Sequence, residues 1–343
     1  GYAALHDDSG LLYDRGSRIH VPHLAESLAA IADDGAAVFY EGELAEAISA
    51  HVRQGGGALT RDDLARYQAI ERPALVADID AWHIATNPPP AVGGAVLTAM
   101  LLACGDLHAR DWDRRSLDQL IRVQRACLDF RRDRLDVTED VPGEAAELVR
   151  AAKQGQLLSQ WSSSSTVHTS AVDDAGFGCA VTASSGYGSG EMPDGTGLWL
   201  NNGLGEIELN RRNVDSRAPG DRLPSNMAPT VARGDDAVMA IGSPGADRIT
   251  TAIHQVLVNR LQFGMSLADA IAHPRVHVDT TGEADQLRAE PGLDMPDLDL
   301  PLQAFPDINM YFGGVSVAMF DRDRGFEVAP DARREGGVFL SDA

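Results

Sequence analysis

The sequence predicts a layered α+β sandwich with a helix-rich first half and a strand-rich second half. Three observations lead there. Apolar residues recur at helical spacing through the first half of the chain. After Ser162–Ser165 the period switches from 3.6 to 2. A strong helical pattern over Ala246–Phe263 then lies among further strands, so helices and strands must share a core as packed layers.

Taken in order, Leu24–Ala32 has apolar residues at helical spacing and stops at Asp33-Asp34-Gly35. Glu43–Val52 is a second amphipathic stretch, ended by Gly55-Gly56-Gly57. Thr60 is placed to cap a short helix through Tyr67, with Asp62 and Asp63 in its electropositive first turn. Ala74–Thr86 has strand character, and Pro88-Pro89-Pro90 breaks the chain after it. Gly93 and Gly94 lead into an apolar helix that runs to Cys104. Ser116–Asp133 and Glu144–Ala152 complete the helical half. Thr166–Val172 and Phe177–Ser184 alternate as two strands joined by the turn Asp173-Asp174-Ala175-Gly176. Further strands are expected at Leu198–Asn201, Ala237–Ile241, Val276–Asp279, Gln286–Glu290 and Gly314–Phe320. The polar stretch Asp279–Asp299 reads as a loop-rich insert, and no internal repeat is visible.

At 343 residues the chain suits two domains or one large layered one. Its 44% hydrophobic and 23% charged residues are ordinary globular values, which excludes a disordered or fibrous chain. The net charge of −22, with Lys153 the only lysine, leaves no basic footprint for nucleic acid. The longest apolar runs, such as Ala95–Cys104, fall short of the ~20 residues of a membrane helix. There is no secretory segment near the start, but Gly1 is not Met, so a processed or partial chain is expected. Cys104, Cys127 and Cys179 cannot pair completely, and each lies in an apolar pattern that predicts a buried free thiol.

Phosphate loops, zinc-protease helices, paired-cysteine motifs and dinucleotide fingerprints are all missing from the sequence. Ser185 and Ser189 lack the flanking glycines of a nucleophile elbow. The ten histidines are scattered without metal-ligand spacing, so no metal site is expected, and the absent fingerprints give no sign of an organic cofactor. What remains is a run of serines, Ser162–Ser165, leading straight into Thr166 at the head of a strand. A threonine hydroxyl with no neighbouring base is a poor nucleophile. Cutting the bond between Ser165 and Thr166 would give Thr166 a free α-amine, of reference pKa ~8, beside its own hydroxyl. The residues alone fit a serine-rich linker before an ordinary strand better.

The flanking sequence decides between these. Thr166-Val167-His168-Thr169-Ser170-Ala171-Val172-Asp173 resembles the T-T-H-x-S-V-V-D that opens the small subunit of the gamma-glutamyltranspeptidase family of N-terminal nucleophile hydrolases. Pro219–Thr230, Gly242–Ile249, Phe263–Ser266 and His273–His277 follow that family's motifs in order. Phe39–Ile48 and Asn87–Gly94 do so in the first half. The resemblance covers most of the chain and implies a four-layer αββα sandwich. It also implies that a precursor cuts itself between Ser165 and Thr166. The products would be residues 1–165, the C-terminal part of a large subunit, and 166–343, the small subunit, held together as a heterodimer. The first part of the large subunit, which carries the family's carboxylate-binding arginine, lies outside this sequence. A periplasmic or extracellular location is implied by the resemblance alone.

Carried over residue by residue, the resemblance makes Thr166 the nucleophile and Ser184 the second hydroxyl that supports it. It makes Gly245 and Ala246, in place of the family's Gly-Gly, the oxyanion hole. The family reads the glutamyl α-amine with Asn, Gln and Asp. Those positions hold Gly186, Gly203 and Glu206 here, so only a carboxylate survives and a larger pocket is expected. Ser225 and Asn226 stand where a Ser-Ser pair binds the α-carboxylate. The implied reaction is acyl transfer from a gamma-glutamyl amide such as glutathione to water, an amino acid or a peptide. The alternatives are an acylase for another acyl amide, like the cephalosporin acylases of the same superfamily, and an inactive truncated subunit with a binding role.

Overall fold

The computed structural model describes residues 2–341 apart from 8, 15, 106, 108–110, 155–165, 207–208, 210–217 and 281–283. The serine-rich tether and Ser165 therefore lie outside the described residues. The chain divides into two compact units, one of residues 1–71 with 185–203 and one of 72–184 with 204–343. This division is one of packing, whereas the cut expected before Thr166 is one of covalent connectivity.

The first unit contains α1 (Tyr2–Leu5), α2 (Leu24–Asp34), α3 (Ala37–Tyr40), α4 (Glu43–Gln54) and α5 (Arg61–Ala65). Thr60 caps α5 reciprocally: its hydroxyl accepts from the Asp63 amide at 3.2 Å, and the Asp63 carboxylate accepts the Thr60 amide at 2.9 Å. The 185–203 segment is tied into the same unit. Ser27 donates to the Thr196 carbonyl at 2.7 Å, and His51 meets Glu191 at 2.9 Å. The strand expected at Leu198–Asn201 is not formed. The Leu200 amide donates to the Glu191 carbonyl, and the Leu200 carbonyl accepts from Ser189, so the loop satisfies its own backbone and leaves no ladder to join.

The second unit is built on a six-stranded antiparallel sheet. The chain first forms the hairpin β1 (Leu75–Ile79) and β2 (Trp82–Thr86), then the helices α6 (Val92–Cys104), α7 (Arg114–Phe130) and α8 (Val141–Gln154). A π-turn over Arg131–Leu135 extends α7. The hairpin β3 (Val167–Val172) and β4 (Gly178–Ala183) follows. Next come β5 (Thr230–Arg233), β6 (Ala237–Gly242), α9 (Arg248–Leu257), a second π-turn over Val258–Gln262, and α10 (Leu267–Ala272). The chain ends with β7 (Val276–Asp279), β8 (Gln286–Ala289), β9 (Leu302–Ala304), β10 (Ser316–Asp321) and β11 (Gly325–Ala329). The sheet order is β1-β2-β5-β6-β10-β11, with β7-β8-β9 a separate small sheet.

Layering follows from burial. β6 is buried over nearly its whole length, as a strand covered on both faces must be. On one face Met239, Ile241, Ile84 and Val317 join Leu97 of α6 and Ile249, Ile253 and Val256 of α9 in one core cluster. The β3–β4 hairpin packs on the other face, against β5, β6 and β10. Only one side of the hairpin is covered: Val167, Phe177 and Val181 are 67%, 74% and 54% exposed. The same alternation exposes Cys179, contrary to the buried thiol expected of it, because its neighbours in β4 take the inward positions. Cys104 and Cys127 are buried, and burial raises the Cys104 thiol to about 12.

Candidate active site

Thr166 is buried immediately before β3. The hairpin pairs Val167 with Ala183, and one further step of that register aligns Thr166 with Ser184. The next inward residues form a polar ladder. Ser170 donates its hydroxyl proton to the Ser316 carbonyl at 3.1 Å. Its oxygen is then the acceptor for His168 Nε2–H at 2.8 Å, which leaves Nδ1 to accept the Thr182 hydroxyl at 2.7 Å. Burial lowers the His168 pKa to about 4, so the ring is neutral at pH 7. The ring rests on Gly242, where an added Cβ would lie 2.2 Å from His168 Cε1. The strand headed by Thr166 is thereby seated on the last residue of β6.

Beyond β6 the chain turns sharply into α9. Gly245 has φ of 129° and Ala246 has φ of 66°, a left-handed conformation that an L side chain rarely adopts. Their carbonyls accept from the amides of Arg248 and Ile249 at 3.0 and 3.1 Å. Neither of their own amides donates to any described residue, so two adjacent N–H groups stand free at a turn that opens a helix. Only glycine fits at 245 and 313, since a Cβ on Gly245 would come within 2.7 Å of the Gly313 Cα.

Behind the turn lies a buried charged cluster. Asp247 Oδ1 accepts from Arg131 Nη1 at 2.9 Å and from Asn226 Nδ2 at 2.8 Å. Arg131 Nε donates to Asp136 Oδ1 at 3.1 Å. All four residues are at most 4% exposed. Burial opposes the charge on Arg131, but the two carboxylates outweigh it and hold the guanidinium protonated.

The expected donor-pocket residues fare unevenly. Asn226 commits its amide nitrogen to Asp247. The Ser225 hydroxyl accepts from the Met227 amide at 3.1 Å, and its carbonyl accepts from the amides of Val92 and Gly93. Glu206 is buried just after a single 3-10 turn, Gly203–Gly205. Gly186 has φ of 61°, and the Asn202 carbonyl oxygen lies 2.5 Å from where a Cβ on it would be, so glycine is required there. Among the described residues no group of three or more His, Cys, Asp or Glu could hold a metal ion, and no helix is long and apolar enough to cross a membrane. A cleft of about 730 Å³ on the first unit, beside Arg53 and Thr60, contains none of these residues.

The family described as gamma-glutamyltranspeptidase matches residues 2–341. The glutathione hydrolase proenzyme of Escherichia coli K12 is 28% identical over 321 residues, covering 83% of this chain and 55% of that protein. The acylase ACY 1 proenzyme of Pseudomonas sp. SE83 is 28% identical over 297 residues, covering 80% of this chain and 53% of that protein. The chain thus spans about half the length of the curated relatives it matches. A crystal structure of cephalosporin acylase from Bacillus halodurans shares the fold, with a TM-score of 0.72 at 21% identity over 97% of this chain and 65% of that one.

Proposed function

The chain belongs to the gamma-glutamyltranspeptidase family, and from that premise we propose that it is an amide-cleaving acyl transferase whose nucleophile is released by self-cleavage between Ser165 and Thr166. One observation supports this most directly. His168, two residues after Thr166, sits on Gly242, three residues before Gly245, so the nucleophile strand and the free-amide turn are anchored to each other. After the cut, the Thr166 α-amine takes the hydroxyl proton as Oγ attacks the amide carbonyl. The amides of Gly245 and Ala246 receive the developing oxyanion. The C–N bond breaks, the leaving amine takes the proton, and an ester remains on Oγ. Water or an amine then attacks the ester and regenerates Thr166. Ser184 supports the nucleophile as the facing hydroxyl. Residues 1–165 and 166–343 would remain together, and a denaturing gel would replace the 36.5 kDa band by two smaller ones.

The preferred donor is a gamma-glutamyl amide such as glutathione, with Glu206 anchoring its ammonium group and Ser225 meeting its carboxylate. A second reading, an acylase for a donor lacking those groups, is favoured by the commitment of the Asn226 amide to Asp247. Glutamyl and des-amino glutaryl anilides separate the two. Glu206→Gln should lower kcat/KM on the glutamyl donor ~10-fold or more and spare the glutaryl donor and self-cleavage. An equal loss on both donors makes Glu206 structural. No loss on either removes the glutamyl reading.

A further inference from the structure

We propose that Asp247 and Arg131 are positioning residues that fix the free amides of Gly245 and Ala246 from inside the core. The proposal rests on the reading above that those amides receive the oxyanion.

A left-handed alanine persists only where its surroundings over-determine it. Ala246 is held on its far side by the residue that follows it. Asp247 stands at the start of α9, where a carboxylate ordinarily caps the first amides, yet its side chain makes no capping bond. Instead it turns inward to Arg131 and Asn226. Arg131 is itself rigid. It opens the π-turn that also brings Asp136 round to its Nε, and the Asp136 amide donates back to the Arg131 carbonyl at 2.8 Å. The other side of the turn is held by Arg248, whose Nε donates to the Tyr311 carbonyl at 2.9 Å and whose guanidinium lies 4.5 Å from the Tyr311 ring centre. The turn is therefore gripped from both ends, and the inner grip is ionic and buried. Releasing Asp247 lets Ala246 relax toward ordinary φ, which swings its N–H away from the oxyanion.

The test uses the full-length protein with Asp247→Ala, Asp247→Asn and Arg131→Lys. Losing one aligned oxyanion donor costs about 10²–10³-fold, so partial misalignment should cost roughly 30-fold. Asp247→Ala should lower kcat on the preferred anilide by roughly 30-fold with KM within about 2-fold. It should weaken a boronic acid, which forms a tetrahedral adduct on Thr166 Oγ, by the same factor while glutamate affinity holds. Asp247→Asn, which can still accept from Arg131 and Asn226, should recover most of this loss. Arg131→Lys should fall between. Hydrogen exchange of the peptide 243–249 reads the grip without turnover, and should quicken ~10-fold or more in Asp247→Ala while the rest of α9 is unchanged. Unchanged kcat and exchange would overturn the proposal. So would a loss that tracks the folded fraction and strikes kcat and glutamate binding alike. A wild-type protein that neither cuts itself nor turns over either donor refutes the proposed function instead, and the exchange measurement then decides the grip alone.

Discussion

The six-stranded sheet and the β3–β4 hairpin each carry one half of the proposed chemistry, and they are stabilised in opposite ways. β6 is buried over all but its first residue and delivers Gly245 and Ala246 into a turn closed by glycine contacts and a buried ion pair. β3 delivers Thr166 from a strand with one covered face, and the part of that face nearest Thr166 is hydroxyls and an imidazole rather than hydrocarbon. The difference teaches where each half is vulnerable. The oxyanion side is fixed by shape and fails when volume is added. The nucleophile side is held by a short chain of hydrogen bonds and should be the first part of the second unit to open.

Three changes test that contrast, the largest first. Thr166→Ala should remain one chain and lose turnover by about 10⁴-fold or more, while Thr166→Ser should still cut slowly. Mass analysis settles it, since a new N-terminus elsewhere, such as Thr169, would remove the hairpin from the chemistry. Gly313→Ala should destabilise by about 2–4 kcal/mol, combining the strain of a side chain at φ 87° with a Cβ 2.7 Å from Ser243 Oγ. Val167→Thr on the bare face of the hairpin should stay within about 0.5 kcal/mol in the same urea titration. If the two cost the same, the sheet is not the rigid partner. The third change concerns acid. Between about pH 6.5 and 4 the unfolded His168 is protonated and the folded one is not, so stability falls as pH drops through that window. His168→Gln should remove about 1–2 kcal/mol of the stability difference between pH 7 and 4.5. The rest belongs in part to His254 and His277, which burial also keeps neutral, each with a pKa of about 3.

Elements with local signals were legible in the sequence. Glu43–Val52 became α4, and the alternation on either side of Asp173–Gly176 became β3 and β4 with the register that aligns Thr166 and Ser184. Capping moved one boundary: Asp113, not Ser116, starts α7, because its carboxylate accepts the Ser116 amide at 2.7 Å. The helix also stops being α-helical at Arg131, where a wide turn replaces it, and apolar spacing does not register such a change. β5, β9 and β11 lie outside the strands expected from the sequence. Thr166, Gly245 and Ala246 stood out through motifs. Arg131 did not, for its partner Asp247 lies 116 residues away in the chain. Asn226 was read from the sequence as half of a carboxylate-binding pair, and its pairing with Asp247 was not legible.

The position of β2 beside β5 has a consequence for how this protein could ever be remade. Thr86 faces Thr230 across that ladder, with their hydroxyls 3.1 Å apart, and one belongs to the chain before residue 166 and the other to the chain after it. A cut before Thr166 therefore leaves two polypeptides woven into a single sheet, neither of which owns a complete core. The uncut precursor folds as one molecule, at a rate independent of its concentration. Once separated, the two pieces must find each other, so reassembly becomes second order and slows with dilution. The persistence of the cut form is then set by how slowly the seam opens, not by how readily it closes.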